Sequence, residues 1–121
     1  MFQNDYIMRE IEGLTRFLAK IIFDKDLNSL DFLDEDGTFS GGDLLYSKLK
    51  QLLGDGNINA AENLLFEELE KNPTNENLQV AFRFYDDLQK LSDEQLEKSD
   101  FSREEILDGL RCIEKNYVLK I

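Results

Sequence analysis

Most side chains that could take part in chemistry in this sequence are carboxylates, and many of them are neighbours. These adjacent acids are Glu67, Glu68, Glu70, Asp86, Asp87, Glu104 and Glu105. General acid–base catalysis needs two carboxyl groups that converge in an apolar cleft, with their pKa values pushed apart. Adjacent residues of a helix point in different directions, so the groups predict charged helix surfaces rather than a catalytic pair.

The residue types argue against a metal site and against a catalytic cysteine. The chain has no histidine, which excludes a His-based triad, a His proton shuttle and nearly every Zn, Cu or Fe site. The run Asp34–Gly37 resembles part of a calcium loop, but Phe32 then falls at the first ligand position, where an oxygen is needed. Cys112 is the single cysteine and is interpreted as a small packing residue. No catalytic residue, metal site or cofactor is predicted.

The net charge of −12 bears on the class of partner. The first 25 residues carry four acidic and four basic side chains, so all of the acidic excess lies in residues 26–121. The electrostatic field of a negatively charged protein repels phosphate groups, which argues against nucleic-acid binding and against docking on anionic membranes. The longest apolar run is three residues, too short to span a bilayer. With no signal peptide at its start and a single cysteine, the chain is expected in the cytoplasm.

The elements that would position any site are helices. Leucines outnumber β-branched residues, which favours helix over strand. Residues 5–23 form the strongest segment, where a seam of apolar residues recurs every three or four positions. The seam consists of Ile7, Ile11, Leu14, Leu18 and Ile21.

Phe17 flanks this seam on one side, and Met8 and Ile22 flank it on the other, which widens the apolar arc to roughly 180°. Such a helix is either the central helix of the domain or packs against another chain as well. The candidate face for a partner or a homodimer is Ile7, Met8, Ile11, Phe17, Leu18 and Ile22.

The rest of the chain divides into an irregular connector and a helical part. Residues 24–42 lose the periodicity and contain turn residues, so they are predicted as a connector. Helices are predicted over residues 43–53, 57–72 and 75–90, and capping boxes at Ser92 and Ser102 start two more. The expected fold is all-α, a single domain over residues 1–121 built as a compact bundle of five or six helices.

Residues 45–73 resemble one tetratricopeptide repeat. Gly56 lies in the turn between two antiparallel helices, Ala61 and Leu65 stand at the small and large packing positions of the second helix, and Asn72-Pro73 closes the unit. The first helix departs from the pattern at three positions: Leu45 stands where an aromatic is usual, Leu49 where Gly or Ala is expected, and Leu52 where Tyr is common. Because a solenoid needs about three repeats, the resemblance implies a tetratricopeptide-like hairpin inside a closed bundle.

The whole chain is also similar to a family of short, acidic bacterial proteins of unknown function. The resemblance is carried by Asp5-Tyr6-Ile7, by residues 17–23 and 61–67, and by residues 101–106. It implies a cytoplasmic helical protein with a tetratricopeptide-like part, and it transfers no activity or catalytic residue.

Three hypotheses about function follow. The first is a non-enzymatic module for protein–protein interaction, a scaffold or regulator that can form a homodimer through the N-terminal helix. The second is an enzyme or small-ligand receptor that uses carboxylates and a lysine such as Lys20 or Lys48, which requires a closed apolar pocket. The third is an acidic DNA mimic that binds a basic protein, which requires two rows of carboxylates at the spacing of phosphates.

Overall fold

Residues 2–24 and 41–118 are described by a computed structural model, and every regular element within them is a helix. The helices are α1 (Phe2–Asp24), α2 (Gly41–Gly54), α3 (Ile58–Lys71), α4 (Asn75–Gln89), α5 (Asp93–Lys98) and α6 (Arg103–Ile113), followed by a π-helical turn (Glu114–Val118). The predicted all-α bundle of five or six helices is confirmed. The predicted connector lies outside the described residues, apart from its ends, which belong to α1 and α2.

Local signals set the boundaries of the later helices. Ser92 accepts a hydrogen bond from the backbone N–H of Gln95, whose side chain accepts one in return from the N–H of Ser92. Ser102 and Glu105 repeat this arrangement at the start of α6. Both predicted capping boxes are therefore confirmed, and each satisfies two backbone donors that the first helical turn leaves open.

One hydrophobic cluster takes side chains from all six helices. The predicted inner face of α3 lies entirely within it, with no member more than 1% exposed: Ile58, Ala61, Leu65 and Leu69. Helices α2 and α3 pack against each other, and Gly56 in the turn between them has a φ of 79°. Only glycine adopts this conformation without strain, so its place in the predicted turn follows from backbone geometry.

The central helix of the described bundle is α4 rather than α1. Helices α1, α2, α3 and α6 all pack on α4. Its buried residues reach around most of the helix, and besides Val80, Phe84 and Tyr85 they include the polar side chains of Asn77 and Gln79. The central position of α4 is hard to predict from the sequence, because these buried polar residues make its apolar stripe look narrower than its buried surface.

Helix α1 packs on α4 and α6 and on the π-helical turn. The sequence placed Ile21 on its inner seam and Ile22 on the flank, but the structure has the reverse, with Ile22 3% and Ile21 37% exposed. A seam drawn through 7, 11, 14 and 18 continues to either residue, so only the position of the neighbouring helices decides between them.

Arg103 joins α6 to the end of α4. Its side chain is 9% exposed, and its guanidinium pairs with the Asp93 carboxylate at 2.9 Å. The same group donates to the backbone carbonyls of Gln89, at 3.2 Å, and Leu91, at 2.7 Å. A planar guanidinium has the several donors needed to hold two carbonyls and a carboxylate together.

Helix α6 does not stay α-helical to the end of the described residues. It changes to π-helical hydrogen bonding at Glu114. No glycine or proline marks this change in the sequence. Among the described helices, none combines the length and the apolar character needed to cross a membrane.

Candidate interaction surfaces

The structure divides the predicted partner face of α1 into buried and exposed residues. Ile11, Leu18 and Ile22 lie in the core and are at most 3% exposed, so they serve the bundle itself. Ile7 is half-buried against the same cluster. Met8 and Phe17 are exposed, at 44% and 41%. The two exposed residues lie on different sides of the helix, since they are 180° apart at 100° per residue.

Phe17 belongs to an apolar surface that we call the α1 flank, made of Tyr6, Gly13, Phe17 and Ile21. At 100° per residue these four positions fall within an arc of about 80°, which also contains the Glu10 carboxylate, 35% exposed. Tyr6 is 66% exposed, and a Cβ atom built at Gly13 meets nothing within 4 Å. Tyr6 and Gly13 do not stand out in the sequence, because a helical period locates an apolar arc without showing which edge of it other helices cover.

Polar contacts fix the orientation of α1 and thereby keep the α1 flank outside. Arg111 on α6 pairs with Glu10 at 2.9 Å, and the side chain of Gln89 on α4 donates to the Thr15 hydroxyl at 2.9 Å. Thr15 in turn donates to the carbonyl of Ile11. These contacts lie on two sides of the inner seam, so α1 cannot roll to bury the flank without breaking one of them.

A second surface is the α3–α6 groove, where α3 and α6 both pack on α4 and leave a furrow between them. It is lined by Glu62, Phe66 and Glu70 of α3 and by Glu105, Asp108 and Cys112 of α6. Its wider end has a volume of about 890 Å³ and is also lined by Pro73, Lys115, Asn116 and Tyr117. That volume lies within the range of protein binding clefts.

One of the groove carboxylates is held by a buried phenol. The hydroxyl of Tyr85 on α4 donates to Oε2 of Glu62 at 2.6 Å, and Tyr85 is fully buried. Burial is the largest cause that raises the pKa of this phenol well above its usual value, followed by the charge of Glu62. Tyr85 therefore stays a donor at any physiological pH and holds the Glu62 carboxylate at the groove surface.

The Glu62 carboxyl group has a raised pKa, chiefly because burial disfavours its charged form. The hydrogen bond from Tyr85 acts in the opposite direction, while the like charges of Glu105 and Asp108 raise the pKa further. A carboxyl whose folded-state pKa exceeds its unfolded value favours folding at acid pH. That contribution is lost as pH rises through the folded-state pKa.

We expect Glu62→Gln to stabilise the protein at neutral pH, since the amide oxygen still accepts the Tyr85 hydrogen bond without a buried charge. The gain in unfolding free energy should be near zero at about pH 4 and should grow as pH rises through the folded-state pKa. Urea unfolding of both proteins from pH 4 to 7 measures the difference. Glu67→Gln, on the exposed side of the same helix, is the control. An equal gain in this variant would contradict the raised pKa of Glu62 as the cause.

A second phenol–carboxylate pair joins α2 to α4. The Tyr46 hydroxyl donates to Oδ2 of Asp87 at 2.6 Å, and the Arg83 guanidinium lies 4.4 Å from the ring centroid. Burial and the Asp87 carboxylate raise the pKa of Tyr46 to about 12, with burial the larger cause. Lys50 pairs with the same carboxylate at 3.5 Å. The cluster is a polar contact between the two helices.

The residues considered for catalysis are scattered. Lys20 and Lys48 are both exposed, on α1 and α2. Cys112, interpreted from sequence as a packing residue, is half-buried and lines the groove, where the Asn116 amide donates to its sulfur at 3.2 Å. Within residues 2–24 and 41–118, no three Cys, Asp or Glu side chains are grouped closely enough to hold a metal ion.

Comparison with known proteins gives one match. No curated protein and no solved structure matches the chain, so the resemblance of α2 and α3 to a tetratricopeptide repeat stays a prediction. The sequence profile of DUF6483, a family of unknown function, matches residues 1–118. Since this match covers nearly the whole sequence, the chain belongs to that family.

Proposed function

We propose that this protein is a non-catalytic interaction module of the cytoplasm that acts as a homodimer, with the α1 flank as the contact between the two copies. The observation that carries the proposal is the exposure of large apolar side chains on a helix that is not the centre of its own bundle. Tyr6, Phe17 and Ile21 are 66%, 41% and 37% exposed. Exposed apolar groups that share one face typically mark a surface for another protein.

The charge distribution favours a second copy as the occupant. At a net charge of −12, two copies repel each other wherever their acidic surfaces meet. Helix α1 lies in the 25-residue segment whose acidic and basic side chains balance. Contact through this helix therefore brings the two copies together with the least repulsion.

Gly13 fits the crossing point of two such helices. Glycine in the middle of a helix costs about 1 kcal/mol relative to alanine, and no packing contact within the described chain requires it. It lies almost midway between Tyr6 and Ile21, the ends of the α1 flank. In a symmetric dimer the two-fold axis passes through the middle of the shared patch, so the missing side chain would let the two helices approach closely there.

Sedimentation equilibrium of wild-type protein and Phe17→Glu tests the proposal. We expect the wild-type to be dimeric and the variant to dissociate at least ~30-fold more readily, the effect of losing an interface residue worth about 2 kcal/mol. Phe17 is exposed, so the folded monomer should retain its helical circular dichroism.

Leu44→Glu is the matched control, because Leu44 on α2 is 61% exposed and lies outside the α1 flank. This variant should sediment as the wild-type does. A monomeric wild-type protein, or equal dissociation of the two variants, would refute the proposed dimer.

A further inference from the structure

We infer that the α3–α6 groove binds a basic amphipathic segment of another protein, with an apolar side chain against Phe66 and Cys112 and lysine or arginine side chains against Glu62, Glu105 and Asp108. This partner site lies outside the α1 flank and does not depend on the dimer. The inference rests on the order of side chains along the groove and on charges that the chain itself leaves without an opposite partner.

Acidic and apolar side chains alternate along the α3 side of the groove, while Lys115 lines its wide end. Glu62, Phe66 and Glu70 follow one another at intervals of four residues, so they form one row on α3. Phe66 and Cys112 line both its narrow and its wide end, which makes the apolar middle continuous. A ligand that fits must therefore place an apolar group in the middle and positive charge about one helical turn away, at the narrow end, which Lys115 does not line.

The acidic end carries charges that attract a cation. Among the described residues, the lysines and arginines that form ion pairs do so elsewhere, and none pairs with Glu62, Glu105 or Asp108. Arg111, close by in the sequence, is engaged with Glu10 on α1. The raised pKa of Glu62 reflects in part its repulsion by the two other carboxylates. A lysine or arginine from a partner would relieve that repulsion.

The site is also held rigidly before any ligand arrives. Tyr85 positions the Glu62 carboxylate through its 2.6 Å hydrogen bond. The Glu105 carboxylate accepts from the backbone N–H of Ser102 at 3.0 Å. Two of the three carboxylates are thus fixed by contacts within the fold, so binding need not order their side chains, which favours affinity.

Cys112 provides a built-in reporter, since it is the single cysteine and lines the groove. The experiment follows the alkylation rate of Cys112 by N-ethylmaleimide in full-length protein, with and without an amphipathic 14-residue peptide of leucine and lysine. We expect the peptide to slow alkylation at least tenfold at saturation. A leucine–glutamate peptide of the same pattern should leave the rate unchanged.

Matched variants separate the groove from general charge attraction. Glu62→Gln with Asp108→Asn removes two groove carboxylates, and Glu94→Gln with Glu97→Gln removes two exposed ones from α5. The first pair should weaken peptide binding at least tenfold, and the second should change it less than twofold. Absence of protection, equal protection by the anionic peptide, or equal weakening in both pairs would overturn the inference. None of these outcomes depends on the oligomeric state.

Discussion

Gly109→Ala is expected to destabilise the protein by about 2–4 kcal/mol, although alanine is the better helix former. A Cβ atom at this position would lie 2.7 Å from Cε1 of Tyr85 and closer still to the phenol carbon and hydroxyl oxygen. Tyr85 is fully buried and its hydroxyl is held by Glu62, so the ring cannot simply turn away. Either α6 moves off α4 or the hydrogen bond breaks. Urea unfolding, monitored by circular dichroism, measures the loss of unfolding free energy.

Gly54→Ala is the matched control, since a Cβ atom there meets nothing within 4 Å at the end of α2. It should change the unfolding free energy by less than about 1 kcal/mol. Adding Tyr85→Phe to Gly109→Ala removes the hydroxyl that the new methyl group meets. The double variant should therefore lose less unfolding free energy than the sum of the losses in the two single variants. Full additivity, or a Gly109→Ala protein as stable as the wild-type, would contradict the close approach of α6 to α4.

Arg103→Ala is expected to lower the unfolding free energy by roughly 2–4 kcal/mol, because two backbone carbonyls and a carboxylate lose their shared donor. The carbonyls belong to Gln89 and Leu91, where the chain leaves α4, and the carboxylate to Asp93. Arg103→Lys should recover only part of the loss, since an ammonium group cannot reproduce the planar arrangement of donors. Thermal and urea unfolding measure both variants.

Arg16→Ala provides the control for loss of an arginine as such. Its ion pair with Glu12 is 3.8 Å long and both side chains are mainly exposed, at 78% and 64%. Its removal should cost less than about 0.5 kcal/mol. If Arg103→Ala were equally mild, the junction between α4 and α6 would not depend on the buried guanidinium.

Local patterns in the sequence predicted most of the helices. The second capping box places Ser102 and Glu105 three residues apart, and Asn72-Pro73 ends α3 because the residue before a proline leaves the helical region. Gly109 lies on α6 within a turn of Ile106 and Leu110, and the structure places it against Tyr85 of α4. These features depend on residues within one turn or one helix, which is why they can be inferred without knowing the fold.

The features that depend on packing between distant residues could not be inferred in the same way. The Glu62–Tyr85 bond spans 23 residues and the Glu10–Arg111 pair spans 101. No helical period links such residues, so the phenol that holds Glu62 and the orientation of α1 could not be predicted from the sequence. The same limit applies to the choice of the central helix, which depends on how many neighbours a helix has rather than on its own apolar stripe.

The most direct test of the proposed dimer is disulfide cross-linking at its two-fold axis. A Gly13→Cys, Cys112→Ser protein should form a cross-linked dimer quickly under mild oxidation, because a residue near the axis meets its own copy and a disulfide needs Cα atoms within about 7 Å. Ser47→Cys in the same background, exposed on α2, should react far more slowly. Cross-linking at position 13 no faster than at position 47 would contradict a dimer built on the α1 flank.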